Sequence, residues 1–304
     1  MNIDFLSDLS GELQAVLEKS GLNVPSPEQL RQQDKRSEEL KDQIENYDLK
    51  NLLHHFFTVY SRRVPVRKWN VHISDKLSDS KAIIEIVNKL THGDDVNALL
   101  SNRVRKLNQP KFADLLLAEW GIHHLHFEES RSNELLFICF SESDAYLIDI
   151  LQHEKADGSV VTWTNTDLIQ VMHDNWPAIL QPYVFKKNSQ SPVSVLTTEE
   201  RRTLRKRATT TFVVVSDGTE YMPMGGGYTA SKHPTHAIIR SDFLYRKAKQ
   251  LQTIVEENFT AIQQALSTYT TSPKLELKLD TNLEPIVIEV VHKVELNLLQ
   301  DENA

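Results

Sequence analysis

Two histidines near the middle of the chain have the residue type and spacing for acid–base chemistry. Residues 121–127 read Gly-Ile-His-His-Leu-His-Phe. Alternate side chains of a β-strand share a face, so His124 and His126 are expected to project together. Because an imidazole accepts or donates a proton near neutral pH, this pair can act as general base and general acid. The sequence therefore predicts a catalytic pair at His124 and His126.

A third histidine, His153, follows the apolar stretch Ala145–Leu151. It reaches the same end of a sheet if that stretch pairs nearby, where it would act as an orienting or third titrating group. Two alternatives stay open for the three imidazoles, namely metal binding and hydrogen bonding to the backbone at a sheet rim. No aspartate or glutamate has an obvious fixed spacing to the pair, which disfavours a metal site. We expect neither a metal nor a cofactor.

A glycine-rich segment is a second candidate site, because three of the nine glycines stand together. Consecutive glycines allow positive φ angles, and their N–H groups can form a nest for an anion. The segment precedes a predicted helix, whose N-terminus favours negative charge. Neither the Walker spacing nor Gly-x-Gly-x-x-Gly is present, and a surface loop is the alternative. The predicted phosphate-binding residues are Gly225, Gly226, Gly227, Tyr228, Ser231 and Lys232.

Five basic residues lie within the seven positions 201–207. The spacing of Arg201, Arg202 and Arg205 places them on one face of a predicted helix, where they could follow a phosphate backbone. A second basic segment, Arg62–Lys68, is next to Trp69. The chain carries 34 basic and 42 acidic residues, a net charge of −8, so these clusters are segregated from an acidic background. We interpret them as nucleic-acid contacts, with a solvated charged face as the alternative.

The composition excludes several protein classes. With 304 residues, of which 40% are hydrophobic, the chain is long and apolar enough for a globular core. Its longest apolar run, Leu135–Phe140, is too short to cross a membrane. The first ten residues lack the pattern of a secretory signal, and Cys139 is the only cysteine. We therefore expect a cytoplasmic protein without disulfides or a membrane partner.

Apolar periodicity predicts an α+β fold. It combines a helical N-terminal region, a small antiparallel sheet packed by helices, and a second α+β subdomain with a long helix. The predicted strands are Ile122–Phe127, Leu135–Phe140, Ala145–Leu151, Leu275–Leu279 and Ile286–Leu296. Helical patterns cover residues 4–46 with a stop at Gly21, 49–60, 80–90, 111–120, 165–180, 198–207 and 234–266.

The polar stretch Lys186–Pro192 is the best candidate for a linker. It divides the chain into three predicted segments. Residues 1–47 form a helical N-terminal arm, and residues 48–187 form an α+β core with the histidine-bearing strands. Residues 193–304 form an α+β subdomain that contains the glycine-rich loop and the long helix.

Residues 111–153 resemble the compact sheet of RelE/ParE-type toxin nucleases, in the wider barnase-like group. The resemblance lies in the order helix, strand, strand, strand over residues 113–127, 135–140 and 146–153. It implies RNA cleavage by metal-independent acid–base chemistry on the 2′-hydroxyl and the scissile phosphate, with an antitoxin partner or a phage-defence setting. The basic residues of those toxin strands are replaced here by His124, His126 and His153.

Three functions follow from these features. The leading one is a toxin-like hydrolase or nuclease that acts on RNA or a nucleotide by histidine acid–base chemistry, with an antitoxin or regulatory protein as a possible partner. The second is a non-catalytic regulatory protein that binds nucleic acid or a protein. The third is a metal-dependent hydrolase that uses the same histidines. The leading function requires the histidine strand and the glycine-rich loop to meet in space.

Overall fold

A computed structural model describes residues 3–32, 37–77, 80–101, 114–128, 133–153, 162, 164–186, 196–207, 209–229 and 233–298. The fold is α+β, as predicted, with N-terminal helices, three small sheets and a long helix. The helices are α1 (Phe5–Lys19), α2 (Pro27–Arg31), α3 (Ser37–Gln43), α4 (Tyr47–Tyr60), α5 (Lys81–His92), α6 (Leu115–Trp120), α7 (Asp167–Asn175), α8 (Pro177–Leu180), α9 (Thr198–Lys206), α10 (Thr235–Glu257) and α11 (Phe259–Ala265). The strands are β1 (Asn70–Ile73), β2 (Ile122–His126), β3 (Glu134–Ser141), β4 (Asp144–Gln152), β5 (Val184–Lys186), β6 (Val213–Val214), β7 (Glu220–Tyr221), β8 (Leu275–Leu279), β9 (Pro285–Glu289) and β10 (Val294–Leu296).

Contacts divide the chain into two compact units rather than three consecutive segments. One unit joins residues 1–57 to residues 238–304, and the other is residues 58–237. The N-terminal helix belongs with the terminal strands because α1 is bonded to β8. The Asp8 carboxylate accepts the Leu277 N–H at 2.9 Å, and Glu12 pairs with Lys278 at 3.1 Å. Residues 187–192 of the predicted linker lie outside the described ranges.

In the first unit, several predicted elements are interrupted. The predicted helix 234–266 consists of α10 and α11, which are separated at Asn258. The predicted strand Ile286–Leu296 is the hairpin of β9 and β10, and Lys293 has a positive φ of 56° in its turn. Apolar periodicity misses such breaks because the apolar residues keep recurring across a short turn.

The β9 residue Glu289 is fully buried, and its carboxylate is an acceptor for backbone N–H groups. It accepts from His292 at 2.8 Å and from Lys274 at 3.1 Å. These bonds, led by the one from His292, lower the pKa of Glu289 from 4.5 to about 2. The charged form therefore stabilises the folded state at neutral pH.

We expect Glu289→Gln to unfold at a lower temperature than the wild type at pH 7, and the difference to shrink at pH 3. The folded pKa lies below the ordinary value, so this stability is complete above about 4.5 and is lost as the pH falls toward 2. Thermal unfolding followed by circular dichroism at both pH values measures it. An equal difference at both pH values would contradict the role of the carboxylate charge.

In the second unit, the main sheet has the order β1-β4-β3-β2. Its antiparallel β2, β3 and β4 confirm the three predicted strands, whereas the parallel edge strand β1 was not predicted. One face packs against α6 and α7 through Ile122, Leu135 and Phe137. The opposite face packs against α5 through Leu125 and Leu136. His124 and His126 alternate with Leu125, so they lie on the α6 face.

One predicted helix of this unit is divided in two. The predicted helix 165–180 is divided into α7 and α8 because Pro177 begins a new helix. A third sheet, of order β5-β7-β6, completes the unit. None of the helices in the described ranges is long and apolar enough to span a membrane.

Candidate functional site

The sheet register brings two of the predicted catalytic histidines together. His126, the last residue of β2, is opposite Leu135 of β3, and Leu135 is opposite Leu151 of β4. His153 lies two residues beyond Leu151 and donates its N–H to the carbonyl oxygen of Asn133 at 2.7 Å. The two imidazoles therefore lie on one face at one end of the sheet. Their ring centroids are 6.5 Å apart, and their planes are 18° apart.

The pair has a buried and an exposed member, because His126 is 5% exposed whereas His153 is accessible. His124 is within electrostatic reach of both. Burial lowers the pKa of His124, and the charges of Arg62, His126 and His153 lower it further, against the opposing effect of Asp114. His124 is therefore held neutral at physiological pH, the state that accepts a proton. The three residues form what we call the histidine cluster: His124, His126 and His153.

Asp114 is a member of the site that the sequence prediction missed. It caps the N-terminus of α6, where its carboxylate accepts the Leu117 N–H at 3.1 Å. Its other oxygen, Oδ2, is 3.3 Å from Nδ1 of His124. Burial raises the pKa of Asp114, but protonation of His124, the charge of Arg62 and the Leu117 hydrogen bond together lower it. An aspartate just before the apolar run 115–118 is an N-cap signal that could have located it.

Arg62 supplies a positive charge beside the histidine cluster. It follows α4 and is only 6% exposed, unlike a solvated residue of a basic segment. Its charge acts on Asp114, His123 and His124, whose pKa values it lowers. The sequence prediction assigned Arg62 to a nucleic-acid surface, but the residue is buried and its charge acts on the side chains of the site.

His123 lies on the other face of β2, where its contacts are those of a structural residue. Its Nε2 is 3.3 Å from the carbonyl oxygen of Ser61, and its ring meets Phe140 edge to face at 5.3 Å. A carbonyl oxygen only accepts, so Nε2 carries the ring proton. Burial lowers the pKa of His123 to about 4. His123 is therefore a neutral donor at physiological pH.

The glycine triplet does not offer its N–H groups to an anion, which corrects the predicted phosphate nest. Gly225 donates to the carbonyl oxygen of Glu119 at 2.9 Å, Gly227 donates to that of Ala118 at 3.0 Å, and Gly226 donates to that of Pro223 at 3.1 Å. Two of these acceptors belong to the last turn of α6, whose carbonyls have no partner within the helix. The triplet thus caps the C-terminus of α6.

Close packing explains why these positions are glycine. A Cβ at Gly225 would lie 2.4 Å from the Ala118 carbonyl oxygen, and a Cβ at Gly227 would lie 2.0 Å from Oγ1 of Thr210. Gly226 has a φ of 77°, and its nearest neighbour would be Thr235 at 3.4 Å. Close contact with backbone atoms of α6 at Gly225, and with the Thr210 side chain at Gly227, therefore explains the absence of side chains at both positions.

We expect Gly225→Ala to destabilise the protein by about 1–3 kcal/mol, because its methyl group collides with a backbone carbonyl. Gly226→Ala is the matched control, since it adds the same methyl group where space exists and only the positive φ costs about 1 kcal/mol. Urea denaturation measures both. An equal or smaller effect of Gly225→Ala would contradict the packing role of the triplet.

Of the three remaining residues of the predicted phosphate loop, the structure describes only Tyr228. Ser231 and Lys232 lie outside the described ranges. Tyr228 donates its hydroxyl to the carbonyl oxygen of Leu115, at the start of α6. Burial and the charge of Glu119 raise the pKa of Tyr228, which keeps this donor protonated.

Two of the three α9 arginines that were predicted to bind nucleic acid point into the protein, which corrects that prediction. Arg201 is 8% exposed and donates to Oγ1 of Thr211 at 3.0 Å and to the carbonyl oxygen of Phe212 at 2.9 Å. Arg205 binds the buried carboxylate of Glu119, with Nε 2.8 Å from Oε2. Arg202 pairs on the surface with Glu199 at 3.4 Å. Two of the three arginines are therefore structural.

Helix α6 is the common support of these features. Its N-cap Asp114 contacts His124, its first carbonyl accepts from Tyr228, and its last turn carries Glu119 and the acceptors of the glycine triplet. The glycine loop and α9 therefore hold the helix that positions the site. The N–H groups of the triplet and the side chains of Arg201 and Arg205 are bonded within the protein.

Within the described ranges, no group of three or more His, Cys, Asp or Glu side chains is arranged to hold a metal ion. Comparison with known proteins finds no matching family model, no matching curated protein and no matching solved structure.

Proposed function

We propose that this chain is a cytoplasmic ribonuclease that cleaves RNA by histidine acid–base chemistry. The observation that carries the proposal is the convergence of three imidazoles and one carboxylate near the end of β2, where the charge of Arg62 also acts. Such a set has a base, an acid and a cation for the phosphate, which are the groups that phosphodiester cleavage requires. The resemblance of residues 111–153 to toxin nucleases supports the same class, and an antitoxin partner is part of the proposal.

In the proposed step, His124 takes the proton of a ribose 2′-hydroxyl while Asp114 orients its ring. The 2′-oxygen bonds to phosphorus, and the bond from phosphorus to the 5′-oxygen breaks. His126 gives a proton to that departing oxygen, and His153 stacks against His126 at the accessible side of the cluster. Arg62 neutralises charge on the phosphate. The products are a 2′,3′-cyclic phosphate and a free 5′-hydroxyl.

Incubation of the purified protein with a labelled RNA oligonucleotide, with and without EDTA, tests the proposal. We expect cleavage that EDTA does not inhibit, and mass spectrometry should identify the cyclic phosphate. A substrate with a single 2′-deoxynucleotide at the cleavage position should stay intact there. Binding of the RNA without cleavage would favour the non-catalytic alternative, and cleavage only with added metal would favour the metal-dependent one.

A further inference from the structure

Ser61 and His236, a serine and a histidine that could act as nucleophile and base, are in contact within the unit of residues 58–237. Ser61 follows the C-terminus of α4, and His236 lies in the first turn of α10. Oγ of Ser61 is 3.1 Å from Nε2 of His236. A second acceptor for the hydroxyl, the carbonyl oxygen of Thr58, is farther away at 3.5 Å. The serine and the histidine are therefore within hydrogen-bond range of each other.

One tautomer of His236 makes its ring a base for Ser61. The Gly225 backbone raises the pKa of His236, as a carbonyl oxygen facing the protonated ring does, and the Gly225 N–H is already donated to Glu119. A neutral imidazole has a single N–H. When Nδ1 carries it, Nε2 has its lone pair toward Ser61, and the serine hydroxyl donates to it across 3.1 Å.

Burial lowers the pKa of His236, which keeps the ring neutral at physiological pH. The serine and the neutral histidine match the nucleophile and the base of an activated serine, which lie within hydrogen-bond range of each other. Both side chains are only partly buried, so a small reagent can approach them.

We propose that Ser61 is a nucleophile toward phosphoryl esters and that His236 is its general base. Oγ of Ser61 bonds to phosphorus, its proton passes to Nε2 of His236, and the bond from phosphorus to the ester oxygen breaks. His236 returns the proton to the departing oxygen, which leaves as an alcohol. Water then hydrolyses the phosphoserine, with His236 again as base, and restores the hydroxyl.

Diisopropyl fluorophosphate tests the pair, because attack by Ser61 forms the bond from Oγ to phosphorus and releases fluoride. We expect intact-protein mass spectrometry to show one adduct, and peptide mapping to place it on Ser61. Ser61→Ala should abolish the adduct. His236→Gln should slow its formation at least tenfold, whereas His72→Gln, which changes a histidine on β1, should leave the rate unchanged.

Circular dichroism on each variant verifies that it is folded before labelling. The proposal would be overturned if the folded wild-type protein stayed unlabelled, or if Ser61→Ala were labelled to the same extent. Labelling of Ser61 at an equal rate in folded His236→Gln would also overturn the assignment of His236 as base.

Discussion

Alanine at His126 is expected to reduce RNA cleavage by about 10²- to 10⁴-fold, the usual contribution of a general acid. Alanine at His153, which stacks on His126, is expected to reduce cleavage by a smaller factor. Both rings lie on one face at one end of the sheet, on either side of β3, and their centroids are 6.5 Å apart. His153 gives the cleaner test because it is exposed, so its removal should cost little stability. His126 is 5% exposed, so its variant needs a parallel measurement of thermal unfolding.

His72 offers a matched control on the same sheet. It lies on the edge strand β1 and pairs with Asp144 at 2.8 Å, so it reproduces a histidine–aspartate contact away from the histidine cluster. His72→Ala should retain full cleavage. A His153→Ala protein that is folded and fully active would remove His153 from the reaction. Equal activity in folded His126→Ala would refute the proposed acid.

Arg205→Met is expected to destabilise the protein by about 3–5 kcal/mol, because it leaves the carboxylate of Glu119 buried without its partner. Glu119 is 2% exposed, and Nε of Arg205 is 2.8 Å from its Oε2. Urea denaturation measures the loss. Adding Glu119→Gln to the variant should recover part of it, since the second change removes the unpaired charge.

Arg202→Met on the same helix is the control for this prediction. Its pair with exposed Glu199 should contribute less than about 1 kcal/mol. The comparison also distinguishes the two roles of the basic helix. If Arg205→Met lowered RNA affinity and left stability equal to that of Arg202→Met, the sequence-based assignment of Arg205 to nucleic-acid binding would hold instead.

The local pattern of apolar and polar residues was sufficient to predict three strands of the main sheet and the face on which His124 and His126 lie. Period-two alternation over residues 122–126 and the two following apolar runs predicted β2, β3 and β4. The same pattern missed the parallel strand β1, because a four-residue strand after a basic segment has too few residues to show a period. It also left Asp114 unassigned, since its partner His124 is reached only once α6 folds back on β2.

The glycine triplet and the basic helix were harder to interpret. A glycine N–H binds an anion or a carbonyl equally well, and an arginine face looks the same beside water or beside a buried carboxylate. The partners that decide between these roles are distant in sequence, and Arg205 and Glu119 are separated by 86 positions. The pattern of residues along the chain does not show which distant residues come into contact.

By itself, the sequence determined the α+β class, the alternation that puts His124 and His126 on one face, and the turns that bound their strands. These follow from steric and periodic properties of neighbouring residues. Only the tertiary structure decided that His153 stacks on His126, that Arg62 and Asp114 join them, and that the glycines and Arg205 hold α6. The physical reason is that burial and charge pairing depend on which surfaces the fold brings together.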